Sequence, residues 1–200
     1  MPNWPRDTLP RSNSELVGPA SLQHRAQSGK ITTRSTTQVG RVWTETYLVD
    51  VRDNNDRKLM ATVRNYLRNG TTFDIVHRDH LTPKGAYGGS PLVAGASQTG
   101  STINLDAAST GITNWARAGD LVTFNAITLV YEVTADTNSD GSGLVALPID
   151  PPIFVGSSPA NNAALTTTAV VVRARVVAAQ FPETDASNHG LLKVTFAESP

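Results

Sequence analysis

Residues 116–154 read ARAGDLVTFNAITLVYEVTADTNSDGSGLVALPIDPPIF, and their reading sets the fold class. Gly119-Asp120 opens a strand that runs through Leu121-Val122-Thr123-Phe124. A second strand is expected from Thr128 to Ala135, where Leu129, Tyr131 and Val133 alternate with Val130, Glu132 and Thr134. That period of two suits a strand with unequal faces. The loop Asp136–Gly143 turns the chain into Leu144–Ile149, and Asp150-Pro151-Pro152 is expected to end that strand, because proline donates no ladder hydrogen bond. The stretch is an antiparallel β-unit.

The flanks carry the same signal. Upstream, Trp43, Glu45, Tyr47, Val49 and Val51 alternate with Val42, Thr44, Thr46 and Leu48, which predicts a strand covered on both sides. The one helix is expected over about 53–69. Asp53 can cap it, Asp56 can reach back, and Asn69-Gly70 can end it. Its stripe is Leu59, Met60, Val63, Tyr66 and Leu67. Thr71–His77 reads as a strand, and a short one is expected around Ser101–Leu105. Residues 165–181 read as one long or two consecutive strands, and 191–197 as the last. The expected fold is mainly β: a sandwich or sheet with one packed helix, plus an inserted small antiparallel β-barrel. Residues 31–81 and 166–200 would form the first domain and residues 82–165 the insertion. Residues 1–30, with Pro2, Pro5, Pro10 and Pro19, read as an extended arm with little internal structure. Its basic residues either lie on an acidic neighbour or face solvent.

Seventeen Lys and Arg balance seventeen Asp and Glu in 200 residues, so no overall field attracts nucleic acid. Charged residues make up 17%, with small neutral polar residues in their place, a surface suited to packing against neighbouring subunits. The absence of cysteine removes disulfides, thiolate metal sites and Cys nucleophiles. The N-terminus lacks the apolar core of a signal peptide, and no apolar run is long enough for membrane insertion. A soluble protein made without export is expected.

Candidate sites are few. His77-Arg78-Asp79-His80 reads as a satisfied strand-end pair rather than a metal site, since 77 and 79 share a strand face while 77 and 80 do not. There is no Gly-x-Ser-x-Gly, and Lys84–Ser90 lacks the order of a phosphate loop. No catalytic set and no cofactor are expected. Asp136, Asn138, Asp140 and Gly141 match positions one, three, five and six of a calcium loop. The twelfth position is Leu147 where a bidentate Glu is needed, so the stretch reads first as an Asx-rich hairpin loop.

Ala118-Gly119-Asp120, Val130–Val133, Asp136 with Ser139–Gly143, and Leu147–Pro152 together resemble a module recurrent in virion proteins of tailed bacteriophages. Gly88–Gly100 resembles the lead-in that precedes it, and residues 31–80 are similar in layout to small tail-tip proteins. The likeness covers most of residues 31–155. It implies a β-rich homo-oligomeric ring, commonly a hexamer, at the distal tail or baseplate. Such a ring joins the tail tube to the tail-tip hub and carries peripheral fibres, which places the chain in the virion tail after synthesis in the host cytoplasm. A tail-tube, tail-terminator or head–tail connector ring subunit is the alternative, as is a barrel module binding glycan or calcium. A glycan site would gather exposed Tyr87, Trp115 or Tyr131 around a groove.

Overall fold

The computed structural model describes Trp4, residues 41–76, 80–182 and 188–199, and the backbone of residues 12–16, 21–25 and 31–35. The protein is mainly β with one helix, and it divides into two compact units: Met1–Ile75 with Arg173–Pro200, and Val76–Val172.

The first unit holds a five-stranded sheet in the order β1 (Ser12–Leu16), β4 (Val42–Asp50), β13 (His189–Glu198), β12 (Val171–Gln180), β5 (Thr72–Val76). β4 and β13 pair antiparallel over nine residues, Val42↔Ala197 to Asp50↔His189. Trp43, Glu45, Tyr47 and Val49 are buried with Leu192, Val194 and Phe196. The opposite face of β4 stays half-exposed and Leu48 is 49% exposed, so the strand is covered on one side and not on two.

Helix α1 (Asn54–Asn69) starts and stops where the side chains dictate. Asp53 accepts from the amides of Asn55 and Asp56 at 2.8 and 3.1 Å, and Gly70 closes the end at φ 61°, ψ 28°, a left-handed conformation glycine takes without Cβ strain. Asp56 reaches back beyond the cap, to the Asp50 amide at 2.8 Å. Leu59, Met60 and Val63 are buried, whereas Leu67 at the far end of the expected stripe is 38% exposed. Tyr66 stacks on Phe73 with centroids 5.1 Å apart. Trp4 completes this layer. It is 3% exposed and sits 5.0 Å from Phe73 and 4.9 Å from Phe196, its indole donating to the Tyr47 hydroxyl at 3.1 Å.

The expected featureless arm is corrected by two strands within residues 1–30, β1 and β2. β1 pairs with β4 from Ser12↔Thr46 to Leu16↔Val42, and β2 (Ser21–Arg25) pairs with β3 (Ile31–Ser35) as a separate two-stranded sheet. Main-chain ladders need no apolar pattern, so a polar run can join an open sheet edge without announcing it. Residues 77–79 and 183–187, expected as a strand end and a turn, lie outside the described residues.

The second unit is one six-stranded sheet, in the order β11 (Leu165–Thr166), β8 (Leu121–Phe124), β9 (Tyr131–Val133), β10 (Val145–Ile153), β7 (Gly100–Ala108), β6 (Gly89–Val93). It curls until its ends nearly meet. Leu92 bridges Ala164, and the Val93 amide donates to the Ala163 carbonyl at 3.0 Å. Ile103, Leu105, Val122, Phe124, Tyr131, Val133, Leu147 and Ile149 fill the interior. The strand expected from 128 to 135 shrinks to three residues, because Leu129, Val130 and Tyr131 are buried in succession and alternation begins only at 131. β10 instead runs past its prolines to Ile153. Its ladder to β7 breaks between Pro148 and Ile153, and its pairing with β9 ends at Asp150, so Pro151 and Pro152 sit where no donor is required. β7 is correspondingly longer than the expected Ser101–Leu105.

Trp4→Ala should lower the stability of the first unit by about 3–4 kcal/mol, as for a buried aromatic removed without collapse of the site. Trp4→Phe should cost less, since it keeps much of the ring contact and loses the hydrogen bond to Tyr47, about 1 kcal/mol. Chemical denaturation of both variants measures the difference; an unchanged midpoint for Trp4→Ala would show that this residue is not part of the core.

Candidate functional site

Loops between the strands of the barrel-like sheet hold Asp120, Asp136, Asn138 and Asp140, the polar residues singled out within 116–154. Gly119-Asp120 lies just ahead of β8, where the chain enters the interior, and Asp120 is 3% exposed. A carboxylate there needs partners, because burying it unpaired would cost several kcal/mol. It accepts from three backbone amides: Lys84 at 2.6 Å, Gly85 at 2.9 Å and Arg117 at 3.1 Å. Its own carbonyl accepts from Val133 at 2.9 Å. The glycine-rich loop 84–90 therefore directs two amides at an internal carboxylate, in the way a phosphate loop directs its amides at a ligand.

The calcium-loop residues point in different directions. Asp136 accepts from the Ala118 amide at 2.9 Å, Asn138 from the Asn114 amide at 2.7 Å, and Asp140 from the amides of Ser142 and Leu144, both at 2.8 Å. Ser139, buried between them, accepts from Ile112 at 2.8 Å and donates to the Ser109 carbonyl. Each side chain ties a different backbone segment to the loop, which is what an Asx-rich turn does. Gly143, at φ 77°, permits the closure, because a Cβ there would stand 2.4 Å from the Ala108 carbonyl oxygen. No group of three or more His, Asp or Glu side chains among the described residues is placed to hold a metal ion. Of the histidine run only His80 is described.

The aromatic side chains do not line a groove together. Trp115 and Tyr131 are buried in the core, and the Trp115 indole donates to the Gly88 carbonyl at 2.9 Å. That burial removes the glycan arrangement expected of these residues. Tyr87 is partly buried, 4.9 Å from the Trp115 ring, and borders a groove of about 330 Å³ with Pro91, Leu92 and Leu165. Its hydroxyl is buried with no hydrogen-bond partner. Burial first, and the nearby Asp120 charge second, push its ionisation well above the usual phenol range.

Two groups were missed as site residues from sequence. Asp120 opens a strand in the sequence pattern, and nothing in that pattern separates its buried carboxylate from the exposed acids of other turns. Glu45 alternates with Trp43 and Tyr47 and follows them into the first unit's core, where it accepts from the Tyr47 hydroxyl and from the Trp43 indole at 3.4 Å. No family model matches the chain, and no curated protein matches it.

Three outcomes follow. Asp120→Ala should destabilise the second unit by about 3 kcal/mol or more, since it leaves buried amides without an acceptor, while Asp120→Asn should cost clearly less; thermal melts of the two variants give the comparison. Millimolar calcium should move the melting temperature by less than ~1 °C, because a ligand stabilises only by binding the folded state; a calcium-dependent rise would restore the metal reading. Because Tyr87 ionises later folded than unfolded, its contribution is intact below the unfolded phenol range, near pH 10, and is lost as pH rises above it. Tyr87→Phe should therefore unfold less readily than the parent protein in alkali while matching or exceeding it near neutrality.

Proposed function

We propose that this chain is a structural subunit of a tailed-bacteriophage virion. It assembles into a homo-oligomeric ring, with a hexamer as the expected form, at the distal tail or baseplate. There it links the tail tube to the tail-tip hub and peripheral fibres. The phage assignment rests on the resemblance carried by residues 116–152 and the lead-in 88–100. The assembly part rests on one observation: the outer face of the five-stranded sheet is left uncovered, with apolar and threonine side chains beside the exposed Lys193 and Arg175. Leu48 and Leu191 face each other across β4 and β13, 49% and 42% exposed, and Thr44 and Thr195 share a hydrogen bond at 3.0 Å on the same face. Val171 and Val177 of β12 are also exposed. An apolar and threonine-rich sheet face of this kind is an interaction surface or an aggregation hazard, and closed rings both cover such faces and remove sheet edges.

A specific feature favours a second reading. The β2–β3 hairpin forms its own two-stranded sheet, and an isolated hairpin is marginal in water without a surface to pair with. A hairpin that completes a neighbour's sheet suits a tail-tube, terminator or connector ring.

Native mass measurement of the purified protein, followed by imaging of virions labelled at the C-terminus, separates these readings. A discrete ring with label at the tail tip supports the first, and label along the whole tail or at the head–tail junction supports the second. A monomer that labels no virion contradicts both.

A further inference from the structure

The first unit carries a groove that the ring reading does not by itself assign. It has a volume of about 380 Å³, with Val51, Met60, Phe181 and Pro182 as its apolar lining and Arg57 and Arg64 at its rim. Arg57 and Arg64 are exposed, seven residues apart on α1, and so two turns or about 10.5 Å apart on one face. The Arg64 guanidinium lies 4.5 Å over the Phe181 ring, which presents a fixed cation beside an apolar surface. Lys58 and Arg68 are exposed on the same helix. The acids of its first turn face the backbone, Asp53 capping α1 and Asp56 accepting from Asp50.

The complementary shape is in the chain itself. The loop 136–144 of the second unit exposes Asp136 and Asp140 and ends on Leu144, a large apolar side chain 50% exposed. Sequence charge follows the same division. The first unit holds fourteen Lys and Arg against ten Asp and Glu, the second three against seven, so a neutral chain is split into halves of +4 and −4. Opposite net charge on two parts of one chain favours a heterologous contact between copies, the type that forms a ring when its rotation closes.

We propose that the groove beside α1 receives the loop 136–144 of a second copy, with Leu144 against Met60 and Phe181 and the loop carboxylates meeting Arg57 and Arg64. The inference rests on the ring reading and adds to it a partner segment. A loop in a groove buries less than the ~800 Å² per partner of a stable interface, so this contact orients copies and adds to the sheet-face contact rather than holding the ring alone. It is also salt-sensitive: raising salt from ~50 to ~500 mM should weaken assembly about tenfold.

Sedimentation velocity on three proteins tests it. The groove variant combines Arg57→Glu and Arg64→Glu. The loop variant combines Asp136→Asn, Asp140→Asn and Leu144→Ser, in which asparagine keeps each side-chain oxygen available to the amides it now accepts from. Each variant alone should assemble about tenfold more weakly than the parent protein, and their equimolar mixture should assemble better than either alone, because one supplies an intact groove and the other an intact loop at every second contact. Arg57→Lys with Arg64→Lys should keep the ring, which guards against a groove variant that fails to fold. If the parent protein forms a ring and the folded loop variant forms it equally well at every salt concentration, the docking is wrong and the ring reading stands. A parent protein that remains monomeric overturns both.

Discussion

The Asp120 carboxylate, buried at the entry to β8 and held by three backbone amides, is the constraint on which the barrel-like unit depends. It draws the 84–85 segment and the Arg117 turn onto one point, and the Val133 amide registers β9 against the same residue. Without that acceptor three amides would face a low-dielectric interior, so the loops and the sheet end are stable only together. Around it Asp136, Asn138, Ser139 and Asp140 repeat the device on a smaller scale, each fastening a different stretch of backbone. A loop so heavily committed to its own scaffold is a rigid, acidic projection. In the first unit, Glu45 plays a comparable part: Trp4, Tyr47 and Glu45 form a buried chain of hydrogen bonds that fixes the N-terminal tryptophan against the sheet.

The two units solve the sheet-edge problem differently. The six-stranded sheet turns back on itself until β6 reaches the residue before β11, and its interior is filled by its own side chains. The five-stranded sheet is covered on one face by α1 and the aromatic layer, while the other face keeps Leu48 and Leu191 side by side in water. Its outer strands are β1 and β5, and the Trp4 amide donates to the Asp74 carbonyl of β5 at 3.2 Å. A self-completed unit has little need of partners. A one-sided sheet gains from them, which is why the main assembly contact is assigned to the flanks, with the barrel-like unit's loop 136–144 adding an orienting contact.

The strength of each sequence signal tracks the physics behind it. The helix was legible almost to the residue, because Asp53 and Gly70 are caps whose chemistry is local. The mainly β class was legible from alternation around Trp43–Val49 and Leu129–Val133. The two faces of β4 were not, since Val42 and Leu48 make one face partly apolar as Trp43, Tyr47 and Val49 do the other, and only the fold decides which face is buried. The polar strand Ser12–Leu16 was invisible for the opposite reason: its contribution is main-chain pairing, which leaves no side-chain pattern. At the loops, the calcium-like spacing of Asp136, Asn138 and Asp140 was visible. The backbone amides of Asn114 and Ala118, which Asn138 and Asp136 accept from, were not, because those partners are brought close only by the folded sheet.

Hydrogen exchange measured at low and at high protein concentration tests the central claim, that the one-sided first unit is completed by neighbouring copies while the barrel-like unit is complete alone. The account predicts that amides of β2–β3 and of the β1 and β5 edges gain protection with concentration, while those of β7–β10 are equally protected throughout. Equal protection of both units at every concentration would contradict it.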